Sequence, residues 1–434
     1  MPNLVTKQFK ISNSKNFIEQ FSSSSGNSLY MFLAKPSAWA PESDTPPDPT
    51  DTQRDYAKIW DEIIAFKKIS PANIVNVIRR VNWVENTIYS EYDNEDFNLL
   101  SKDFFVLNRE LDVYKCISNN NGSPSRVEPT GKSLNIFITS DGYKWKYLYS
   151  ISNSDRLKFL TDNWMPVRKN DDVASVAIDG GIENIKLYSG GIDYSARARV
   201  IVEGDGISAN VGTRQSLGVI YDFVYLNSGS KYRFANAYVL DSGNSQGRGA
   251  NIRAIISPIG GHGSDPISEL GAHYIMINAV TEYNEGIGDF PAGFTYRKLG
   301  LIKNPKSTSG QVANVLTLSG LSGISLSNVN GIFLNNEFIE GITSSANAFA
   351  VTSNVVSGNG FVRYVQVIDL TKNFGSFTIG ENIIGKTSGA TARVANVLSA
   401  EVISDTGEIF YIENRIPITK SPDQTDSLHL VLEF

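Results

Sequence analysis

Two stretches of this chain are written in nearly the same letters. EFIEGITSSANAFAV (337–351) and ENIIGKTSGATARVA (381–395) align at a spacing of 44 residues, with Glu, Ile, Gly, Thr, Ser, Ala and Ala in coincidence. A fixed-period repeat means a duplicated structural unit, and the β-branched residues and glycines within it predict strands and turns. TSGQVANVL (308–316) shares part of the same vocabulary with TSGATARVANVL (387–398). The repeat sits in residues 306–400, a region of Ser, Gly, Asn, Val and Ala with few charges, expected to be a separate β module.

The second copy also spells a chemical motif. Gly380, Gly385, Lys386 and Thr387 satisfy G-x-x-x-x-G-K-[ST], the pattern of a phosphate-binding loop. Such a loop needs a strand before it and a helix after it, because the helix N-terminus and consecutive N–H groups hold the phosphates. SGATARVANVLSAEV follows Thr387 and reads as turn and strand. Glu381 and the bulky Ile383 and Ile384 stand where phosphate would be wrapped, and the sister copy has Asn336 and Ile342 in place of Gly380 and Lys386. Residues shared by both copies belong to the β turn, and those unique to one copy complete the motif by chance.

The remaining chain, 434 residues in all, reads as several domains. SLYMFLAKPSAW (28–39) predicts a strand entering a loop, and APESDTPPDPTDT after it, with four prolines, predicts an extended surface segment. Thr50 and Gln53 have capping-box spacing, and Tyr56, Ile59, Trp60, Ile63 and Phe66 predict an amphipathic helix over 52–68. Ser70-Pro71 predicts a second, shorter helix carrying Ile74, Val77, Ile78 and Val81. From about residue 100, DFFVLN, LDVYKCIS, SLNIFIT and YKWKYLYSI predict strands, with SDG before Tyr143 as a turn. Strands continue through 176–305. The expected fold class is therefore α+β and mainly β, multi-domain and β-sandwich-like, with a short N-terminal helical segment.

Composition narrows function. A net charge of −6 without a basic cluster argues against direct nucleic-acid binding, which phosphate neutralisation dominates. Cys116 is the only cysteine, so no intrachain disulfide forms and Cys-rich metal sites are excluded, as suits a reducing cytoplasm. No apolar run reaches 18 residues, and the opening MPNLVTKQFKISNSKNF lacks a signal core, so neither membrane insertion nor export is expected.

Other constellations are weaker. GNSQG (243–247) matches the nucleophile elbow with Ser245 in place, but RGANIRAIIS after it reads as a strand where a helix is required. In HGSDPISELGAH, Glu269 and His273 lie four apart with His262 and Asp265 nearby, yet Gly271 interrupts a helix and Asp265-Pro266 reads as N-cap and first helical residue. That loop is expected to dock on a partner or neighbouring domain. His429 belongs to a terminal strand. All five tryptophans precede residue 165, and burial is the expectation for them; partner contact is expected of Trp39 beside the proline segment with Pro46 and Pro47. The candidate interface residues are thus Trp39, Pro46, Pro47 and His262, with no catalytic, cofactor or metal-binding set.

The chain ends carry a family resemblance. YIENRIPITKSPDQTDSLHLVLEF (411–434), through Glu413-Asn414-Arg415, Pro417-Ile418, Asp423-Gln424-Thr425 and Phe434, resembles the end of the baseplate wedge subunit of T4-like contractile-tailed bacteriophages, the gene 8 product. DGYKWKYLYSI (141–151), YMFLAKPSAW with its proline-rich continuation, VIRRVNW (77–83) and VYKC (113–116) match that family in order, and FPAGFTYRKLGLIKNP (290–305) more weakly. The matches reach over a little more than half of the chain; 180–260 matches poorly and 306–400 has no counterpart. The resemblance implies a non-enzymatic virion protein without cofactor, assembled in the host cytoplasm. It would pair as a homodimer, contact other wedge subunits and transmit the rearrangement that triggers sheath contraction. The expected domains are a discontinuous wedge core of 1–175 with 401–434, a β domain of 176–305 and an inserted β module of 306–400, whose removal should leave a folded protein because the ends of an insert should lie close together. The alternative is a host-surface, carbohydrate-binding or fibre-network protein; against it, the repeat region has phenylalanines and Tyr364 but no tryptophan to stack on a sugar.

Overall fold

The computed structural model describes residues 4–22, 26–243, 246–281, 293–356, 358–366, 375–421 and 424–434. Strands dominate, helices are few and short, and the chain is an α+β, mainly β protein. It divides into two compact units: Met1–Asn16, Val75–Met276 and Val431–Phe434 in the first, Phe17–Ile74 and Ile277–Leu430 in the second. Ser245, Phe374, Asp423 and the start of the 290–305 segment lie outside the described residues.

The first unit is built on aromatic strands. Phe105–Leu107, Asp112–Ser118, Lys144–Ser150 and Phe137–Ile138 form an antiparallel sheet in that spatial order. All of its strands but Phe137–Ile138 are buried on both faces, so near-continuous apolar runs replace alternation there. Trp145 is fully buried, stacked on Tyr143 at 5.4 Å and met edge-on by Tyr89. Gly142, at φ +86°, makes the expected turn before Tyr143. A second sheet orders Val219–Ser230, Ile207–Ser216, Ala198–Gly204 and Ala235–Asp241, beside the ladder of Ile182–Ile192 with Arg248–Ile256. Val200, Val211, Ile220 and Phe223 close its inner face.

Two helical expectations are corrected in and around the second unit. The amphipathic helix is real but stops at Glu62 (Gln53–Glu62), and its cap is Thr52, whose hydroxyl accepts from the Asp55 N–H at 3.2 Å. Ile63–Lys68 is a strand, with Ile63 and Phe66 buried in it. Glu62 marks the change: its carbonyl accepts the Lys35 N–H at 3.0 Å, and its buried carboxylate lies 3.3 Å from Lys35 and 3.5 Å from Lys298. The second expected helix is only the 3-10 turn Pro71–Asn73, followed by the strand Ile74–Arg79. Its apolar residues fit a helical spacing because nearly every side chain of that strand is buried, so periodicity carried no information there. Conversely, Lys7–Gln20 is a helix that pattern alone did not reveal, since only Ile11 and Ser14 of it are buried.

The second unit holds an antiparallel sheet ordered Thr317–Ser319, Ile63–Lys68, Leu29–Ala34, Thr295–Lys303 and Glu408–Thr419, with the fully buried Leu29–Ala34 in its centre. It also holds a closed six-stranded barrel made by the repeat. Each copy supplies three strands: Ser322–Asn330, Phe338–Gly341 and Asn347–Val356, then Asn359–Val365, Asn382–Gly385 and Thr391–Leu398. The first strand of each copy pairs with the third strand of the other, and the two first strands pair together, as do the two second strands. Glu340 faces its own equivalent, Ile384, with Ile339↔Gly385 and Gly341↔Ile383 on either side, so a pseudo-two-fold axis passes there. The 308–316 segment lies outside the barrel and is not a third copy.

Candidate functional site

Of the phosphate-loop residues, Lys386 and Thr387 occupy a turn, 386–388, between two barrel strands, Gly385 ends the strand before it, and Gly380 lies in the turn that precedes that strand. The N–H groups of the 386–388 turn do hold an anion, but an internal one. The Glu337 carboxylate accepts from the Thr387 and Ser388 N–H groups (3.1 and 2.9 Å), from Ser388 Oγ (2.9 Å) and from the Leu334 N–H (2.7 Å). Glu381 does the same for the other copy: Thr343 N–H, Ser344 N–H, Ser344 Oγ and Thr378 N–H, at 3.2, 3.0, 2.9 and 2.6 Å. Consecutive backbone N–H groups in a tight turn form a concavity for an anion, and here each copy fills its sister's. Burial pushes the Glu381 pKa up, but the Thr378, Ser344 and Thr343 donors outweigh it and hold the carboxyl below its ordinary range.

Every other letter of the motif has a role in the barrel. Gly385 lets the turn close: a Cβ there would stand 2.4 Å from Ser388 Oγ and 2.6 Å from Glu337, and Gly341 is equally confined against Ser344 and Glu381. Gly380 has φ +94° and its counterpart Asn336 has φ +67°, the left-handed backbone that glycine and asparagine adopt most readily. Lys386 pairs through its ammonium with Glu340 on the adjacent strand. After the turn the chain runs into the strand Thr391–Leu398, as expected. Glu381 does not guard its own loop, as the sequence suggested; it crosses to the other copy. The shared Glu-x-x-x-Gly-x-Thr-Ser spacing was the signal for this lock, but what the glutamate does follows only from the barrel's closure.

The histidine loop folds around a buried ion pair in the first unit. Asp265 caps the short helix Pro266–Glu269, as its position before proline indicated. Glu269 pairs with the fully buried Lys115, while its other oxygen accepts the Gly263 N–H at 2.7 Å. The Tyr92 ring lies 4.7 Å from that ammonium and meets His262 edge-on at 4.8 Å. His262 is 2% exposed and its Nδ1 has no hydrogen-bond partner among the described residues. Burial, then the positive charges of Lys115 and Lys146, push its pKa well down, so the ring is neutral. Burial likewise lowers the Lys115 pKa, against the pull of Glu269. His273 turns elsewhere: Nδ1 lies 2.8 Å from the Gly271 carbonyl and Nε2 3.7 Å from Glu433. Glu269 and His273 therefore have separate partners and form no common ligand set. Cys116 is buried, and burial raises its thiol pKa well above the usual value.

Trp39 and the prolines lie along the edge strand Glu408–Thr419 of the second unit. The Trp39 indole N–H donates to the Arg415 carbonyl at 3.0 Å, and Asn414 donates to the Pro47 carbonyl at 2.8 Å. Lys35 sits 5.0 Å over the Trp39 ring. Trp39 and Pro46 are half-buried and Pro47 is exposed. The segment covers a sheet edge that would otherwise present unpaired backbone groups. His262 is buried within the first unit and presents no surface there.

Among the described residues no helix is long and apolar enough to cross a membrane, and no group of three or more His, Cys, Asp or Glu residues is arranged to hold a metal ion. The sequence matches no protein-family model and no curated protein.

Proposed function

We propose that the chain is a structural subunit of a phage tail baseplate wedge, which assembles with other wedge subunits and with a second copy of itself and passes on the rearrangement that triggers sheath contraction. The ordered resemblance of its segments to the T4-like wedge subunit suggests this reading. One structural observation carries it furthest. The sheet of 198–241 buries Val200, Val211 and Phe223 on its inner face, yet Tyr238 and Leu240 of its edge strand remain 43% and 45% exposed on the other. Cross-strand register puts them beside Ile201 and Arg199. Exposed tyrosine and leucine flanked by charge are what an assembly face requires, because apolar area is buried at its centre and polar groups rim it. The groups that sequence motifs single out for chemistry are by contrast engaged by the chain itself: Lys386 with Glu340, the Thr387 N–H with Glu337, and the buried Glu269 with Lys115.

Gold-labelled antibody against the chain tests the reading on purified phage particles. Label at the distal end of the tail is the expected result. Label on the head, or none on intact or detergent-opened particles, would overturn it.

A further inference from the structure

The first unit contains a groove of about 270 Å³ between the 118–121 and 138–144 turns on one side and the strands of 184–187 and 221–223 on the other. Its walls are fixed. Asn120 donates to the Asp141 carbonyl at 3.0 Å and lies where a Cβ on Gly142 would be, 2.7 Å away. A bulge between Cys116 and Ser118 brings Ser118 opposite Lys144. A site held this way is preorganised, which lowers the ordering cost of binding.

Its electrostatics are balanced within. Lys186 pairs with Glu91 at 2.7 Å, and Lys144 lies 3.7 Å from Asp222. A free anion or cation entering would have to break one of these pairs without gaining net charge complementarity. What the groove offers is a mixture of donors and acceptors. Asn184, 3% exposed, is tied through Nδ2 to the Ile117 carbonyl at 2.9 Å, and among the described residues none donates a hydrogen bond to its Oδ1. A nearly buried amide with a spare acceptor calls for an outside donor. Asn121 is an exposed residue of the groove's lining, and the Tyr221 ring, 57% exposed, supplies a flat apolar face.

We propose that this groove binds a neutral saccharide of one or two pyranose rings. A sugar hydroxyl donates and accepts at once, so it suits Asn184 Oδ1 at the floor and the loose Lys144–Asp222 pair at the wall, while the C–H face of the ring packs on Tyr221. The volume lies just under the roughly 300–1,000 Å³ of drug-sized sites, which limits the ligand to a short saccharide or the end of a longer glycan. This site is separate from the barrel and independent of the wedge proposal.

Saturation-transfer NMR on the full chain tests it with maltose, cellobiose, lactose, mannobiose and N,N′-diacetylchitobiose, against glucuronate and glucose 6-phosphate as charged comparators. At least one neutral disaccharide should bind, and Tyr221→Ala should weaken it by about tenfold. Asn121→Ala, also at an exposed position, should weaken it less, with circular dichroism confirming that both variants are folded. Absence of binding by every neutral sugar, tighter binding of a charged comparator, or binding unchanged in both variants would overturn the assignment.

Discussion

The barrel and the aromatic sheet of the first unit both bury carboxylates, and they neutralise them in opposite ways. Glu337 and Glu381 are held by backbone N–H groups and a serine hydroxyl, all from short turns of the same repeat. Glu269 is held by an ammonium, Lys115, that is 154 residues away in sequence. The first solution is modular: it is written twice, needs no charged partner and comes with the duplicated unit. The second depends on two distant segments arriving together. A carboxylate satisfied by neutral donors keeps most of its stabilisation when a neighbour changes, whereas one satisfied by a buried cation leaves an uncompensated charge.

Excising the barrel is the largest test of modularity. Gly323 and Leu398 are paired residues, and the Glu401 N–H donates to the Ser319 carbonyl at 3.0 Å, so the two ends of the barrel segment lie side by side. Joining 321 to 399 through a short glycine linker should leave a soluble protein that retains the other β signals by circular dichroism and loses one component of its calorimetric unfolding. Aggregation of the shortened chain would mean that the barrel is not a module.

Glu269→Leu should cost about 3–5 kcal/mol in denaturant unfolding, the range for stranding one member of a buried pair. Adding Lys115→Met should recover a large part of that loss, since the stranded charge is then gone. If the double variant is no better than the single one, Lys115 is not the partner that matters. Gly385→Ala should destabilise the barrel by about 1–3 kcal/mol, because the new methyl would push Ser388 Oγ and the Glu337 carboxylate out of the hydrogen bonds that hold the turn.

Acid should act on the barrel through Glu381. Its folded pKa is depressed by the N–H groups that hold it, so its contribution is complete above the ordinary glutamate value of about 4.3 and is lost as pH falls through the lower folded value. Unfolding of the barrel followed from pH 6 downward should show a larger loss in the parent than in Glu381→Gln, which starts lower and lacks the Glu381 share of the acid response. The smallest effect belongs to Lys386→Ala. Its pair with Glu340 is half in solvent, and such pairs contribute at most about 1 kcal/mol. Nucleotide added to the parent should leave its melting temperature unchanged.

What could be read in advance follows the same division. The duplication announced two copies of one β unit, and the turn after Thr387 was legible because glycine and β-branched residues gather there. The crossing of Glu337 and Glu381 between copies was not, since alignment shows which letters repeat and not which copy they serve. Strands buried on both faces misled most: Ile74, Val77, Ile78 and Val81 fit a helix because burial in that strand erases alternation. The Lys115–Glu269 pair left no trace in local pattern, and the groove of 118–223 is assembled from turns whose asparagines and glycines look like ordinary loop residues.

The wedge assignment is tested most directly by recovering a tagged copy of the chain from phage-infected cells and measuring what accompanies it, by quantitative mass spectrometry and sedimentation. The expected result is a complex in which other tail proteins are present in fixed ratio with the chain, and which is lost when Tyr238 and Leu240 are replaced by charged residues. Recovery of the chain alone, or of a complex indifferent to those two substitutions, would contradict it.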